Sequence, residues 1–122
     1  MSRKRLIFFV TADPAADPSP VVAAYRFASA AASARLDAEV RLAGDAVLVA
    51  DPAYVATVDG AQTLRERVDA AAERHIDVTV CPRSVDARGI GHEQLTGIGA
   101  RPRPLSEILL EVAEGTSVLI NV

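Results

Sequence analysis

The sequence has 122 residues, 50% of them hydrophobic, which is enough for one domain (residues 1–122) with a buried core. Its 13 basic and 16 acidic residues give a net charge of −3, and their distribution indicates neither a nucleic acid nor a membrane surface as a partner. The apolar run after the basic residues 3–5 is too short for a signal peptide or a membrane span, and a single cysteine forms no internal disulfide. We therefore expect a protein of the reducing cytoplasm.

The first predicted strand covers residues 6–10 (LIFFV). This run is apolar without alternation, which is typical of a parallel strand covered on both faces. Residues 11–20 hold three prolines and two aspartates, and they predict a loop beyond the carboxyl end of the strand. We interpret Asp13 and Asp17 as turn-forming residues of this loop.

A long helix is predicted next, over residues 21–35. Ser19 is the expected N-cap, and Pro20 the first helical residue, where a missing N–H costs nothing. Small and aliphatic residues recur often enough to cover a sheet, while Arg26 and Arg35 are expected to reach solvent.

Residues 38–42 (AEVRL) alternate between apolar and charged side chains, which predicts a half-exposed strand or an edge strand. Gly44 and Asp45 end it. The run 46–50 is open to two interpretations, a strand by composition or a short buried helix with Asp45 near its start. We favour the helix.

The helical pattern is clearest over residues 62–75. Charged residues surround an apolar stripe formed by Leu64, Val68, Ala71 and Ala72. His75 falls at the end of this helix, where a cation stabilises the negative helix terminus, and we favour this structural role over catalysis. A third strand is predicted over residues 77–81.

The remaining sequence predicts one more helix and one more strand. A short helical turn over residues 84–88 stops at Gly89, and the glycine- and proline-rich residues 91–104 predict a loop. A helix over residues 105–114 is followed by an apolar strand over residues 116–122. The residues expected to form the buried stripe of that helix are Leu105, Ile108, Leu109 and Val112.

Strands and helices therefore alternate along the sequence. This order predicts an α/β fold with right-handed crossovers, in which three layers (α/β/α) surround a mostly parallel central sheet of four to five strands. The functional crevice of such a fold lies beyond the carboxyl ends of the strands. Residues 11–19 and 81–84 are expected at that edge.

Cys81 is the candidate functional residue. It ends the third strand and precedes the short helix, so the positive helix end should favour its thiolate, and Arg83 and Arg88 could add to this effect. A thiolate attacks sulfur electrophiles and can carry a persulfide. The alternative is that Cys81 is only a small apolar residue of the core.

The segment 81–90 (CPRSVDARGI) resembles the C-x-x-[S/A]-x-x-x-R-G segment of the DsrE/DsrF/TusD-like family of small sulfur-relay proteins. The opening strand, loop and helix of that family are similar to residues 4–35, its second strand and glycine to residues 38–44, and its final helix and strand to residues 105–122. The resemblance spans nearly the whole chain and implies the DsrE/YchN-like version of the α/β fold.

The resemblance implies that Cys81 is the catalytic cysteine, which accepts sulfur as a persulfide from a donor protein and passes it to an acceptor protein. The residues expected to support it are Pro82, Arg83, Ser84, Arg88, Gly89 and His92, the last as a proton donor or local charge. The alternative within the same fold is a non-catalytic subunit that binds a small ligand or serves in assembly. No cofactor is implied.

Relatives commonly assemble into trimers or hexamers, so the resemblance also implies a homo-oligomer. The apolar segments 46–50 and 53–58 exceed what a small sheet needs to cover, and we expect them to form contacts. No metal site is expected, because one cysteine and two separated histidines lack metal-ligand spacing. Phosphate-binding glycine loops and the hydrolase Gly-x-Ser-x-Gly elbow are absent from the sequence.

Overall fold

In the part of the chain that the structure describes, the sheet consists of five strands that all run parallel. A computed structural model describes residues 3–122 of the chain. The strands are β1 (Arg5–Val10), β2 (Ala38–Leu42), β3 (Asp77–Val80), β4 (Ala100–Pro102) and β5 (Ser117–Asn121). Their order across the sheet is β4-β3-β2-β1-β5, and every neighbouring pair is parallel. The predicted α/β fold around a parallel sheet is confirmed.

Helices connect the strands. They are α1 (Ser19–Ser33), α2 (Pro52–Val55), α3 (Ala61–Glu73), α4 (Pro82–Ala87), α5 (His92–Gly97) and α6 (Leu105–Ala113), with a 3₁₀ helix over Gly44–Ala50. The 3₁₀ helix confirms the helical interpretation of residues 46–50. Within residues 3–122, no helix is both long enough and apolar enough to cross a membrane.

One face of the sheet carries the apolar core. Side chains alternate along a strand, so Val40 and Leu42 of β2 point to the same face as Val78 and Val80 of β3. All four are fully buried and belong to one cluster with residues of α1 and α3. Three residues of the stripe predicted on α3 are buried in it, namely Leu64, Val68 and Ala71.

The start of α1 differs from the prediction. Pro18, not Ser19, occupies the N-cap position, and Ser19 is the first helical residue. The carboxylate of Asp17 accepts a hydrogen bond from the Ser19 N–H at 3.0 Å. The side chain of Asp17 thus forms the turn before α1. This local contact competes with capping of the helix by Ser19.

β2 is a central strand, so the prediction of a half-exposed or edge strand is wrong. It pairs with β1 on one side and with β3 on the other, and all of its residues are buried. Its two charged residues, Glu39 and Arg41, are both 0% exposed. The alternation therefore separates the apolar face from a second buried face, which is polar.

The prediction of a loop over residues 91–104 is also wrong, because α5 and β4 lie there. The Gly91 N–H donates to Gln94 Oε1 at 2.7 Å and begins α5. Gly99 then turns the chain into β4 with a left-handed φ of 68°. Pro102 is tolerated in β4 because it lies in an edge strand. Elements this short, with glycines between them, have the composition of a loop.

α6 contacts the sheet through few apolar side chains. Of the residues predicted for its buried stripe, only Ile108 is buried. The large apolar residues that it exposes are Leu105, Leu109, Leu110 and Val112. Its Glu111 carboxylate instead accepts hydrogen bonds from the Arg103 guanidinium and, at 2.7 Å, from Ser117 Oγ. α6 is thus bound to the polar face of the sheet largely by polar contacts.

Candidate functional site

Cys81 lies at the carboxyl edge of the sheet, directly after β3. Its N–H donates to the Leu42 carbonyl oxygen of β2 at 3.0 Å. α4 begins at the next residue, so Cys81 occupies the N-cap position, where its side chain makes no capping hydrogen bond. The residue is partly buried, in contrast to the fully buried Val80 before it. Cys81 is therefore partly accessible at this edge.

The surroundings of Cys81 lower the pKa of its thiol below the ordinary value. Desolvation by burial opposes ionisation and is the largest single influence on this pKa, but several groups together outweigh it. They are the Ser84 hydroxyl, the backbone N–H groups of Ser84 and Arg83, which act on the sulfur from the first turn of α4 without forming a capping hydrogen bond, and the charge of Arg41. Near neutral pH, Cys81 is thus more extensively ionised than an ordinary cysteine.

Hydrogen bonds hold the segment after Cys81 in place. The Gly44 N–H donates to Ser84 Oγ at 2.9 Å and joins α4 to the segment that follows β2. Arg88 donates to the Ser84 carbonyl oxygen at 3.0 Å and to the Asp45 carboxylate at 2.7 Å. Hydrogen bonds therefore join the segments that follow β2 and β3 next to Cys81.

The other predicted site residues occupy more peripheral positions. Pro82 is the first residue of α4, and Arg83 is exposed in the same turn. Gly89 follows the helix with a φ of 65°, the left-handed conformation that ends a helix, as predicted. His92 is exposed in the first turn of α5 and is not among the largest influences on the pKa of Cys81.

The cation that acts on Cys81 is not one of those predicted from the sequence. The sequence pointed to Arg83 and Arg88, but Arg88 is paired with Asp45, and only the backbone N–H of Arg83 is among the main influences on the thiol pKa. Arg41 supplies the charge from the neighbouring strand. The signal in the sequence is the alternation of charged residues along residues 38–42. Because helices are expected on both faces of the sheet, these charges should lie inside the protein.

Arg41 belongs to a buried polar network. Its centre is the Glu39 carboxylate, which accepts hydrogen bonds from Arg103 at 2.9 Å, from Arg5 at 2.8 Å and from Thr79 Oγ1 at 2.6 Å. Residues from β1, β2, β3 and the segment after β4 thus meet at one carboxylate. This network occupies the face of the sheet that α6 covers.

The segment after β1, the other stretch expected at this edge, forms a turn. The Asp13 carboxylate accepts hydrogen bonds from the Ala15 N–H at 2.9 Å and from the Tyr54 hydroxyl. The bond to Asp13 raises the pKa of Tyr54 to about 12, and the Tyr54 hydroxyl in turn lowers the pKa of Asp13. The interpretation of Asp13 as a turn-forming residue is confirmed.

Comparison with protein families assigns the chain. The profile of the DsrE/DsrF-like family matches residues 4–119, which is nearly the whole sequence. The chain belongs to the DsrE/DsrF-like family. The resemblance that segment 81–90 carries is therefore confirmed. No curated protein gives a significant match to this sequence.

Solved structures share the fold of this DsrE-like chain. BT1422 from Bacteroides thetaiotaomicron, a conserved protein of unknown function, has a TM-score of 0.71 at 15% identity over 98% of this chain and 95% of that chain. The ychN protein from E. coli has a TM-score of 0.63 at 18% identity over 99% and 100%. MTH1491 from Methanobacterium thermoautotrophicum, also of unknown function, has a TM-score of 0.64 at 18% identity over 98% and 99%. These likenesses establish the fold.

The DsrE-like chain also has a largely apolar cleft among its helices. The cleft has a volume of about 410 Å³ and lies between the 3₁₀ helix, α2, α3 and α5. Val49, Leu64 and Ile98 contribute apolar walls, and Arg65 and Glu93 contribute charged groups. None of the predicted site residues lines it, so the cleft and the cysteine are separate features.

Proposed function

We propose that this protein carries sulfur as a persulfide on Cys81, as a carrier or as a subunit of a sulfurtransferase. The observation that supports this best is a partly buried thiol with a lowered pKa at the carboxyl edge of the sheet. The family resemblance supports the same class of function. The proposed location is the cytoplasm, where an unpaired cysteine stays reduced.

The proposed transfer requires no cofactor. The Cys81 thiolate attacks the outer sulfur of a donor persulfide, R–S–SH, and a new S–S bond forms while that of the donor breaks. The products are Cys81–S–SH and the donor thiolate, so no oxidant or reductant is consumed. An acceptor thiolate then takes the outer sulfur in the same way, and the lowered pKa makes Cys81 a better leaving group.

Intact-mass measurement after incubation with a persulfide donor tests this function. We expect the wild-type protein to gain a single sulfur atom that a reductant removes, because the reaction stops at Cys81–S–SH. Cys81→Ser should gain none, and its circular dichroism should match the wild type. Wild-type protein alkylated beforehand is the chemical control. If folded wild-type protein takes up no sulfur from persulfide, polysulfide or thiosulfate donors, the function is rejected.

The cleft supports a second candidate function, a non-catalytic subunit that binds a small, largely apolar ligand. A concave site of about 410 Å³ with apolar walls and a few charged groups has the features of small-molecule sites. Thiol alkylation at graded pH separates the two functions. If Cys81 is a sulfur carrier, its alkylation should be fast, and the rate should rise with an inflection at a pH below the ordinary cysteine pKa. The non-catalytic function is compatible with slow alkylation or an unshifted thiol pKa.

We further propose a homo-oligomer, a trimer or hexamer, that exchanges sulfur with donor and acceptor proteins. The segments expected to form its contacts do not support it, because most of residues 46–50 and both valines of residues 53–58 are buried in their own chain. Exposed apolar residues lie on α6 instead, where Leu109 is 51% and Leu110 60% exposed. Sedimentation at micromolar concentration should show an assembled species, and a monomer alone would contradict the proposal.

A further inference from the structure

Arg41 is a buried cation that forms no salt bridge within the part of the chain that the structure describes. Its side chain is 0% exposed, and its Nη1 donates to the Arg103 carbonyl oxygen at 2.6 Å, with longer contacts to the Val80 carbonyl oxygen at 3.3 Å and Thr79 Oγ1 at 3.4 Å. All three acceptors are neutral. Its Nε has no hydrogen-bond partner within residues 3–122, and no carboxylate of that range forms an ion pair with it.

The neighbouring carboxylates are bound to other arginines. Glu39, on the same face of β2, lies 2.9 Å from Arg103 and 2.8 Å from Arg5. Glu107 of α6 lies 3.9 Å from Arg103. Desolvation lowers the pKa of Arg41, which means that burial disfavours its positive charge. A buried charge without a counter-ion destabilises a fold, so an anion beside Arg41 would stabilise the folded protein.

Cys81 is placed to supply the missing negative charge. Arg41 pairs in register with Thr79, and the alternation of side chains puts Thr79 and Cys81 on the same side of the chain. The contact of Nη1 with the Val80 carbonyl oxygen brings the guanidinium group to the peptide bond that joins Val80 to Cys81. Among the charges that raise the pKa of Arg41, the Cys81 thiolate is the strongest.

We propose that Arg41 is the buried counter-ion of Cys81 and holds the negative charge on its sulfur. For the thiolate the inference rests on the register of β2 and β3 and on the contact of Nη1 with the Val80 carbonyl oxygen. For the persulfide anion that replaces the thiolate during transfer, it also rests on the proposed function. Arg41 is a positioning residue, because it acts on the reacting sulfur through its charge. The effect is mutual, since the ionised sulfur neutralises a cation that forms no ion pair with a carboxylate of residues 3–122.

Charged and polar groups face this pair from each element packed against it. Glu39 of β2 and Glu107 of α6 favour the positive charge of Arg41, while Arg103, after β4, opposes it. On the side of α4, the Ser84 hydroxyl and two backbone N–H groups favour the negative charge on sulfur. With the Arg41 charge removed, the α4 groups are the main ones that oppose the desolvation of the thiolate.

Alkylation of Cys81 in Arg41 variants tests the proposal. Arg41→Gln should slow alkylation about tenfold near neutral pH, because losing a neighbouring opposite charge raises a pKa by about one or more. Arg41→Lys keeps the charge and should retain most of the wild-type rate. Arg67→Gln removes the same charge from an exposed position on α3 and should leave the rate unchanged. A folded Arg41→Gln protein with the wild-type pH profile overturns the proposal.

A second measurement does not require an Arg41 variant to fold. It compares the free energy of unfolding of wild type and Cys81→Ser across the pH range of thiol ionisation. Because the folded-state pKa of Cys81 is lowered, the ionised sulfur stabilises the folded protein above the ordinary thiol pKa, and this stabilisation is lost as the pH falls through the folded-state value. We expect the free energy of unfolding of wild type to increase relative to that of Cys81→Ser as the pH rises. A constant difference overturns the proposal.

The two proposals fail in different ways. If the pH profile of Cys81 alkylation depends on Arg41 but the protein takes up no sulfur, the carrier function is rejected and Arg41 remains the counter-ion of the thiolate. If the protein takes up sulfur but the pH profile of alkylation does not change in the Arg41 variants, the counter-ion proposal is rejected and the carrier function is kept.

Discussion

Glu39→Gln is expected to lower the free energy of unfolding by about 3–5 kcal/mol, because it removes one partner of a buried ion pair. The Glu39 carboxylate is fully buried and binds Arg103, whose side chain is only 7% exposed. Glutamine keeps the shape of the side chain but leaves the buried guanidinium of Arg103 without this charge. Urea denaturation followed by circular dichroism measures the loss.

Asp37→Asn is the matched control for Glu39→Gln. Asp37 pairs with Arg5 of the same network at 3.3 Å, but its side chain is 59% exposed. Exposed ion pairs contribute about 1 kcal/mol or less, so the same carboxylate-to-amide change should have a small effect. Equal losses in the two variants would contradict the assignment of Glu39 as the buried centre of the network.

Leu64→Ala is expected to lower the free energy of unfolding by about 2–5 kcal/mol, since it removes apolar contacts and leaves a cavity. Leu64 is fully buried in the core, where α3 packs over the apolar face of the sheet. The effect should appear as a lower urea midpoint with an unchanged slope, because the surface exposed on unfolding hardly changes.

Leu110→Ala is the control for Leu64→Ala, with the same substitution on α6. Leu110 is 60% exposed, so its truncation should change the free energy of unfolding of the monomer by no more than about 0.5 kcal/mol. The measurement is made at low protein concentration. A loss as large as that of Leu64→Ala would show that the Leu110 side chain is covered in the isolated chain, contrary to the structure.

Much of the fold could be predicted because its signals are local. The apolar run of β1 and the stripe of α3 follow from the sequence within a few residues of each position. The prediction for β2 is wrong for a physical reason. Alternation shows that a strand has two different faces, but it does not show whether the polar face meets water or other buried polar groups. Glu39 and Arg41 are both buried, and both form hydrogen bonds with Thr79 and Arg103.

The candidate site was predicted only in its local part. Cys81 lies between a strand and a helix, and both can be inferred from the sequence around it, as can the direction of its pKa shift. Arg41 comes from the neighbouring strand, and its position opposite Thr79 depends on the register of β2 and β3. Register is set by packing over the whole sheet and is not encoded in a short motif.

The pairing of β5 with β1 has a consequence for the newly made chain. The two strands are neighbours in the sheet although nearly the whole described sequence separates them. During synthesis β1 is made first and β5 last of the five strands, so one edge of β1 stays without a partner while the intervening elements are translated. That strand contains LIFFV, and an unpaired apolar edge is the place where nascent chains associate incorrectly and require protection by chaperones.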